Sequence, residues 1–223
     1  MKDGLEVNYS QEHWKLFWNM RKDGINIIEK LKSIGLRSYL FGSLARGDVN
    51  EKSDIEIVVL EDYSIRVEMI EDLFYVNHKF IILSTPTSTP KGYICLDLEC
   101  RIVISFHLTK LTHRDEEFYK FGGITDSAIQ RVPGVNKKLK FVIPTKEGHI
   151  EEYVIGNEDR VSSILGVSRS IVEERISMIM RRKFNRRNGI FLKYTLSPSE
   201  DFRSAIESIM VKNKVFKKII EES

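Results

Sequence analysis

Residues 53–60 read SDIEIVVL, an acid–aliphatic alternation that closes on an apolar run. Successive side chains of a strand point to opposite faces. Asp54 and Glu56 therefore share one face, while Ile55, Ile57 and Val59 share the other. The pattern predicts a strand packed on its aliphatic face and displaying two carboxylates on the opposite one. Carboxylates that close repel, which raises one pKa or weakens the fold. A divalent cation removes the conflict, because Mg²⁺ takes oxygen ligands and is held by one or two carboxylates together with phosphate oxygens.

The segment just upstream, FGSLARGD at 41–48, supplies what such a cation would need. RSYLF at 37–41 reads as a short strand and LARGD as the first turn of a helix. Gly42 lets a ligand approach the backbone closely. Ser43 offers a hydroxyl and a backbone N–H, and a helix starting there would aim its N-terminus at phosphate. A triphosphate between turn and acids, with Mg²⁺ or Mn²⁺ bridging its oxygens, would be set for in-line attack and loss of pyrophosphate.

FGSLARGDVNEKSDIEIVV resembles the signature of the nucleotidyltransferase fold, the DNA polymerase β superfamily, and most closely its minimal nucleotidyltransferases. The shared pattern is Gly-Ser, about ten residues, then Asp-x-Asp or Asp-x-Glu on a strand. The resemblance implies that Gly42 and Ser43 hold the NTP phosphates, with Arg46 as a weaker phosphate contact. Asp54 and Glu56 become the catalytic metal-binding pair. Active members usually carry a third carboxylate on a later strand. The simplest alignment puts His78 and Lys79 at that place, and a charged lysine cannot ligate a metal. Two solutions stay open: Asp97, paired with Glu99 in YICLDLE if that stretch is a strand, is the third ligand, or two acids serve a single metal.

The rest of the chain divides by character. SQEHWKLFWNMRKDGINIIEKLKSIGL at 10–36 reads as helix, capped by Ser10, with Gly24 as a candidate break and Gly35 as the stop. SIRVEMIEDLFYV at 64–76 looks helical, KFIILS at 79–84 is a strand, and YICLDLECRIVISFH at 93–107 suits a helix or one or two strands. THRDEEFYKF predicts a helix, GGITDSAIQRVPG a linker, and KKLKFVIPT with HIEEYVIG a hairpin. The expected boundary separates a nucleotidyltransferase-like domain at 1–125 from a hairpin plus helical module at 126–223. The expected class is α+β: a mixed sheet with flanking helices, then a winged-helix or helix-turn-helix module.

RVSSILGVSRSIVEERI resembles a helix-turn-helix, with Ser162 in the first helix, Gly166 at the turn, Ser168 as cap, and Val172 and Ile176 facing inward. NGIFLKYTL would supply a wing strand, and SPSEDF would open a terminal helix on Ser197 or Ser199. Together with YICLDLECRIVI and RRNGIFLKYTLSPSEDF, this order resembles a group of archaeal predicted nucleotidyltransferases with an appended helical module. Such a module implies either DNA as a partner or a part used for packing, dimerisation or substrate positioning. Arg169 and Ser170 would face the groove, with Glu173 beside them, and Arg181, Arg182, Lys183, Arg186 and Arg187 would meet phosphates. The alternative function is a catalytically degenerate nucleotide-binding domain in a DNA-binding regulator. Minimal nucleotidyltransferases also imply a partner protein or a homodimer.

Net charge is only +3, from 35 basic and 32 acidic residues, so it does not call for nucleic acid by itself. No apolar run spans a bilayer and MKDGLEVNYS lacks a signal-peptide core, so a cytoplasmic protein without a membrane partner is expected. Cys95 and Cys100 have no His or Cys cluster at ligand spacing, and His13, His78, His107, His113 and His149 form no spaced set. A metal site needs about four ligands, so the two cysteines read as small buried residues on neighbouring strands.

Overall fold

The computed structural model describes residues 4–61, 63, 65–185 and 190–222. The elements begin with β1 (Leu5–Asn8), α1 (Gln11–Ser33), β2 (Ser38–Phe41), α2 (Ser43–Arg46), β3 (Ile55–Val59), α3 (Ile65–Glu68) and α4 (Ile70–Leu73). Next come β4 (His78–Leu83), β5 (Lys91–Cys95), β6 (Ile102–His107), α5 (His113–Gly122), β7 (Ile124–Thr125), β8 (Gly134–Val135), β9 (Lys140–Pro144) and β10 (Gly148–Tyr153). The chain continues through α6 (Glu158–Leu165), α7 (Arg169–Asn185), β11 (Leu192–Thr195), α8 (Phe202–Lys212) and α9 (Lys214–Glu221). No helix among the described residues is long and apolar enough to cross a membrane.

Two compact units draw on these elements. Residues 1–26, 40–55 and 112–187 make the first, and residues 27–39, 56–111 and 188–223 the second. The expected cut at 125 falls within the first of these units. Three of the boundaries fall inside α1, β2 and β3, where local pattern carries no sign of which long-range neighbours a residue will join.

In the first unit α1 runs unbroken through Gly24. A Cβ at Gly24 would lie 2.6 Å from Leu40 Cδ2, so the missing side chain is a packing requirement and not a split. The Ser10 hydroxyl accepts from His13 N–H at the helix start. An antiparallel sheet of order β1-β10-β9-β8 is built around the expected hairpin. The stretch expected to be a linker instead contributes β7, which pairs with the end of β2 through Leu40↔Thr125 and Phe41↔Ile124, and β8. Two-residue strands hold only by pairing, so no local alternation announces them.

The core of this unit joins Phe121, Val135, Leu139, Phe141 and Val154 to Val161 of α6, Val167 of the turn after it, and Ile171 and Val172 of α7. Gly166 ends α6 in the left-handed conformation (φ 60°), as its place in the turn required. Ser168 sits at the start of α7, but the stronger cap comes from α5. The Glu117 carboxylate, 7% exposed, accepts from both the backbone N–H and the hydroxyl of Ser168. A carboxylate at a helix N-terminus answers orphan N–H groups and the dipole together.

In the second unit strands follow the order β11-β4-β5-β6-β3-β2, and β11 through β6 pair antiparallel. YICLDLECRIVISFH is thus a hairpin, with residues 96–101 as its turn. The predicted helix at 64–76 is two short turns, α3 and α4, interrupted at Met69. Strand β11 pairs with β4, Leu192↔Leu83 through Thr195↔Phe80, so the segment expected as a wing is a sheet strand of the other unit. Asp201, not Ser197 or Ser199, caps α8 by accepting from Ser204 N–H at 2.7 Å. Phe202 then stacks edge-on against Phe106.

Glu117→Ala should lower stability by about 2 kcal/mol, since it strips a buried cap from α7. Glu117→Gln, which keeps one acceptor, should recover part of that loss. Urea unfolding of the three proteins checks the order.

Candidate functional site

The Gly-Ser turn follows β2 directly. Gly42 has φ +71°, and a Cβ built on it would meet nothing within 4 Å. The space beside this backbone is open, and the left-handed φ itself favours glycine. Gly42 N–H donates to Gly123 O at 3.0 Å, which ties the turn down from behind. Ser43, half-buried, opens α2, a single turn with no side-chain cap.

The Arg-Gly-Asp that follows is scaffold. Arg46 is 5% exposed, and all three of its guanidinium nitrogens are engaged. Nε and Nη2 donate to the two oxygens of Asp48 at 3.0 and 3.2 Å, and Nη1 donates to Gly122 O. Arg46, expected as a phosphate contact, has its fork engaged inside the protein. Gly47 ends α2 at φ +103° and its carbonyl accepts from His13 Nε2 at 2.8 Å. Arg131 packs against Gly47, donates to Gly148 O and Thr145 O, and lies over the Trp14 ring. Burial lowers the Arg131 pKa and, with the Asp48 charge, raises that of Tyr9.

The loop to β3 bonds to itself. Asn50 N–H donates to Ser53 Oγ, Lys52 N–H to Asn50 Oδ1, and Ser53 N–H to Asn50 O. Asp54 then stands exposed immediately before β3, and Glu56 is half-buried one residue inside it. Ile55, Ile57 and Val59 are buried, as alternation requires, but so is Val58. The strand shows a carboxylate face only at its start and is closed on both faces further in. Gly42, Ser43, Arg46 and Asp54 belong to the first unit, and Glu56 is the first residue of the second.

Asp97, expected as a candidate third carboxylate, lies outside any strand. The stretch holding Asp97 and Glu99 is a turn, so the two acids do not form a same-face strand pair. Asp97 Oδ1 instead accepts from Ile102 N–H at 2.9 Å, closing that turn. Strand β6, which lies next to β3, is IVISFH and carries no carboxylate. Lys79 is buried and donates from Nζ to Glu71 Oε1 at 2.7 Å and to Glu200 O at 2.8 Å, a structural role.

The expected groove-facing residues have local partners. Arg169 pairs with Asp159 at 2.6 Å and with Glu173 at 2.7 Å, and these partners raise its pKa further. A base or phosphate contact would first have to break both pairs. The Ser170 hydroxyl is 2.9 Å from that of Ser168. Arg181 and Arg182 are exposed on α7, and Lys183 lies on the same helix. Arg186 and Arg187 lie outside the described residues.

Residues 23–105 match the family model of the nucleotidyltransferase domain. The matched stretch runs from α1 into β6 and contains the Gly42–Ser43 turn and both acids. The mixed α+β architecture is consistent with that fold. Among curated proteins, none matches this sequence.

Sequence reasoning had no signal for Gly122, His13 or Arg131 as supports of the turn, because each acts from far along the chain. Arg46→Ala should cost about 3 kcal/mol, leaving Asp48 without its counter-charge in a poorly solvated place. Arg46→Lys should restore little, because one ammonium cannot serve Asp48 and Gly122 in fork geometry. Thermal unfolding measures both.

Proposed function

We propose that this protein transfers a nucleoside monophosphate from an NTP to a hydroxyl-bearing acceptor, with Asp54 and Glu56 as its metal-holding acids. The match of residues 23–105 to the nucleotidyltransferase domain carries the reading, since both acids and the Gly-Ser turn fall inside it. The donor chemistry fits a hard divalent ion: two carboxylates at i and i+2, one exposed and one half-buried, at the open end of β3. Mg²⁺ or Mn²⁺ suits such oxygens and completes its shell with water and phosphate. When bound, it neutralises charge on the triphosphate and on the departing pyrophosphate.

The remaining work belongs to the chain. Asp54 and Glu56 orient the phosphates by fixing where positive charge sits. Ser43 donates its hydroxyl and backbone N–H to the terminal phosphates. Gly42 keeps the approach clear, because its backbone faces open space that a side chain would fill. The Arg46–Asp48 pair sets the pitch of α2 and so the direction of Ser43, without touching substrate.

Calorimetry of NTP binding with Mg²⁺, and again with a chelator, tests the assignment. Mg²⁺-dependent binding should fall at least about a hundredfold in Asp54→Ala/Glu56→Ala, the several kcal/mol a metal contributes. Stability should change by no more than about 0.5 kcal/mol for Asp54→Ala alone, an exposed position. Undiminished Mg²⁺-dependent binding by the double variant would remove the acids from the site.

A further inference from the structure

A second cluster of ligand-type side chains lies in the second unit, carried by a different hairpin. His78 of β4 is directly opposite Cys95 of β5 in the strand register. Cys100, in the turn before β6, is disulfide-bonded to Cys95 with their Cα atoms 4.8 Å apart. Ligand atoms of His78, Cys95 and Cys100 all lie within 4.8 Å of one another, and among the described residues this is the group of three with metal-binding potential. Cys95 is fully buried, while His78 and Cys100 are half-buried, so the cluster has one sheltered and one accessible side.

We propose that His78, Cys95 and Cys100 form a redox-gated zinc site, closed by the disulfide and opened by a dithiol reductant. The exchange balances. The reductant's two thiols become its own disulfide, the Cys95–Cys100 bond breaks, and each sulfur takes up one proton. Zinc then displaces those two protons and binds two thiolates and one imidazole, leaving a fourth position for water. One imidazole and two thiolates are the soft, mixed N/S set that zinc takes in three-ligand sites with an open position.

The backbone holds the ligands together whether or not the sulfurs are bonded. Asn77 N–H donates to Cys95 O at 2.9 Å, Leu96 N–H to Ile102 O at 2.9 Å, and Cys100 N–H to Asp97 O at 3.2 Å. Asp97 Oδ1 adds its bond from Ile102 N–H, so the turn keeps its shape after reduction. Two thiolates on one tetrahedral ion sit about 3.7 Å apart, a separation that side-chain rotation alone supplies from this Cα spacing. Asn77 Oδ1 is 3.3 Å from His78 Nδ1, a contact of the outer kind that orients a metal-bound imidazole. This site is independent of the nucleotide reading, because it uses neither of the acids assigned there.

The test uses full-length protein carrying Asp54→Ala/Glu56→Ala, so that metal at the acids cannot be mistaken for this site. Protein reduced with a phosphine is titrated with Co²⁺, then with Zn²⁺ against a chromogenic chelator. The expected result is one ion per reduced chain, with thiolate-to-cobalt charge-transfer absorption, and none per oxidised chain. His78→Ala should weaken zinc at least about a hundredfold and Asn77→Ala about tenfold. Cys95→Ser and Cys100→Ser should each abolish the charge-transfer band. No stoichiometric zinc in the reduced protein, equal binding in oxidised protein, or full affinity in His78→Ala would each overturn the proposal.

Discussion

The bidentate pair between Arg46 and Asp48 governs the geometry of the first unit. Its third arm reaches Gly122 O at the end of α5, so one guanidinium joins the turn after β2 to a helix far along the chain. Guanidinium is suited to this because its planar fork serves a carboxylate and a carbonyl at once without losing charge. Around it, Gly47 bends left-handed, His13 from α1 takes the Gly47 carbonyl, and Gly123 O receives Gly42 N–H. The Gly42–Ser43 turn is thereby held from behind while its front stays open. A charged residue that reads as a ligand contact in sequence thus supports the Gly42–Ser43 turn from within.

The acids occupy the one place on β3 where a carboxylate face is tolerated. From Val58 onward the strand is buried on both sides, and a charge there would carry a large desolvation cost. At Asp54 and Glu56 the chain has just left a self-bonded polar loop, and water still reaches them. A site at the beginning of a buried strand combines rigid placement with access. The neighbouring strand β6 is apolar apart from Ser105 and His107, so the matched domain presents two acids here without a carboxylate from β6.

Much of the secondary structure was legible because its causes are local. The stripe of α1, the hairpin β9–β10, the turn at Gly166 and the start of β3 each follow from periodicity or from one residue's conformational preference. The failures share a cause too. β7 and β8 are too short to show a pattern, and β11 reads as a strand without revealing that β4 is its partner. Glu117 could not be recognised as the cap of α7, because the two lie on separate helices of the chain. Likewise Cys95 and Cys100 gave no ligand spacing with any histidine, since the third member comes across a strand pair and not along the sequence.

What the sequence determined by itself was the strand with its paired acids and the glycine turn before it. Both rest on period-two alternation and on backbone freedom, which act over a few residues. Only the tertiary structure decided which charged groups remain for chemistry. Arg46 and Lys79 were consumed by Asp48, Gly122, Glu71 and Glu200, whereas Asp54 stayed exposed. The physical reason is that burial and ion pairing depend on groups brought close by folding, often tens of residues away, and no local pattern encodes those neighbours.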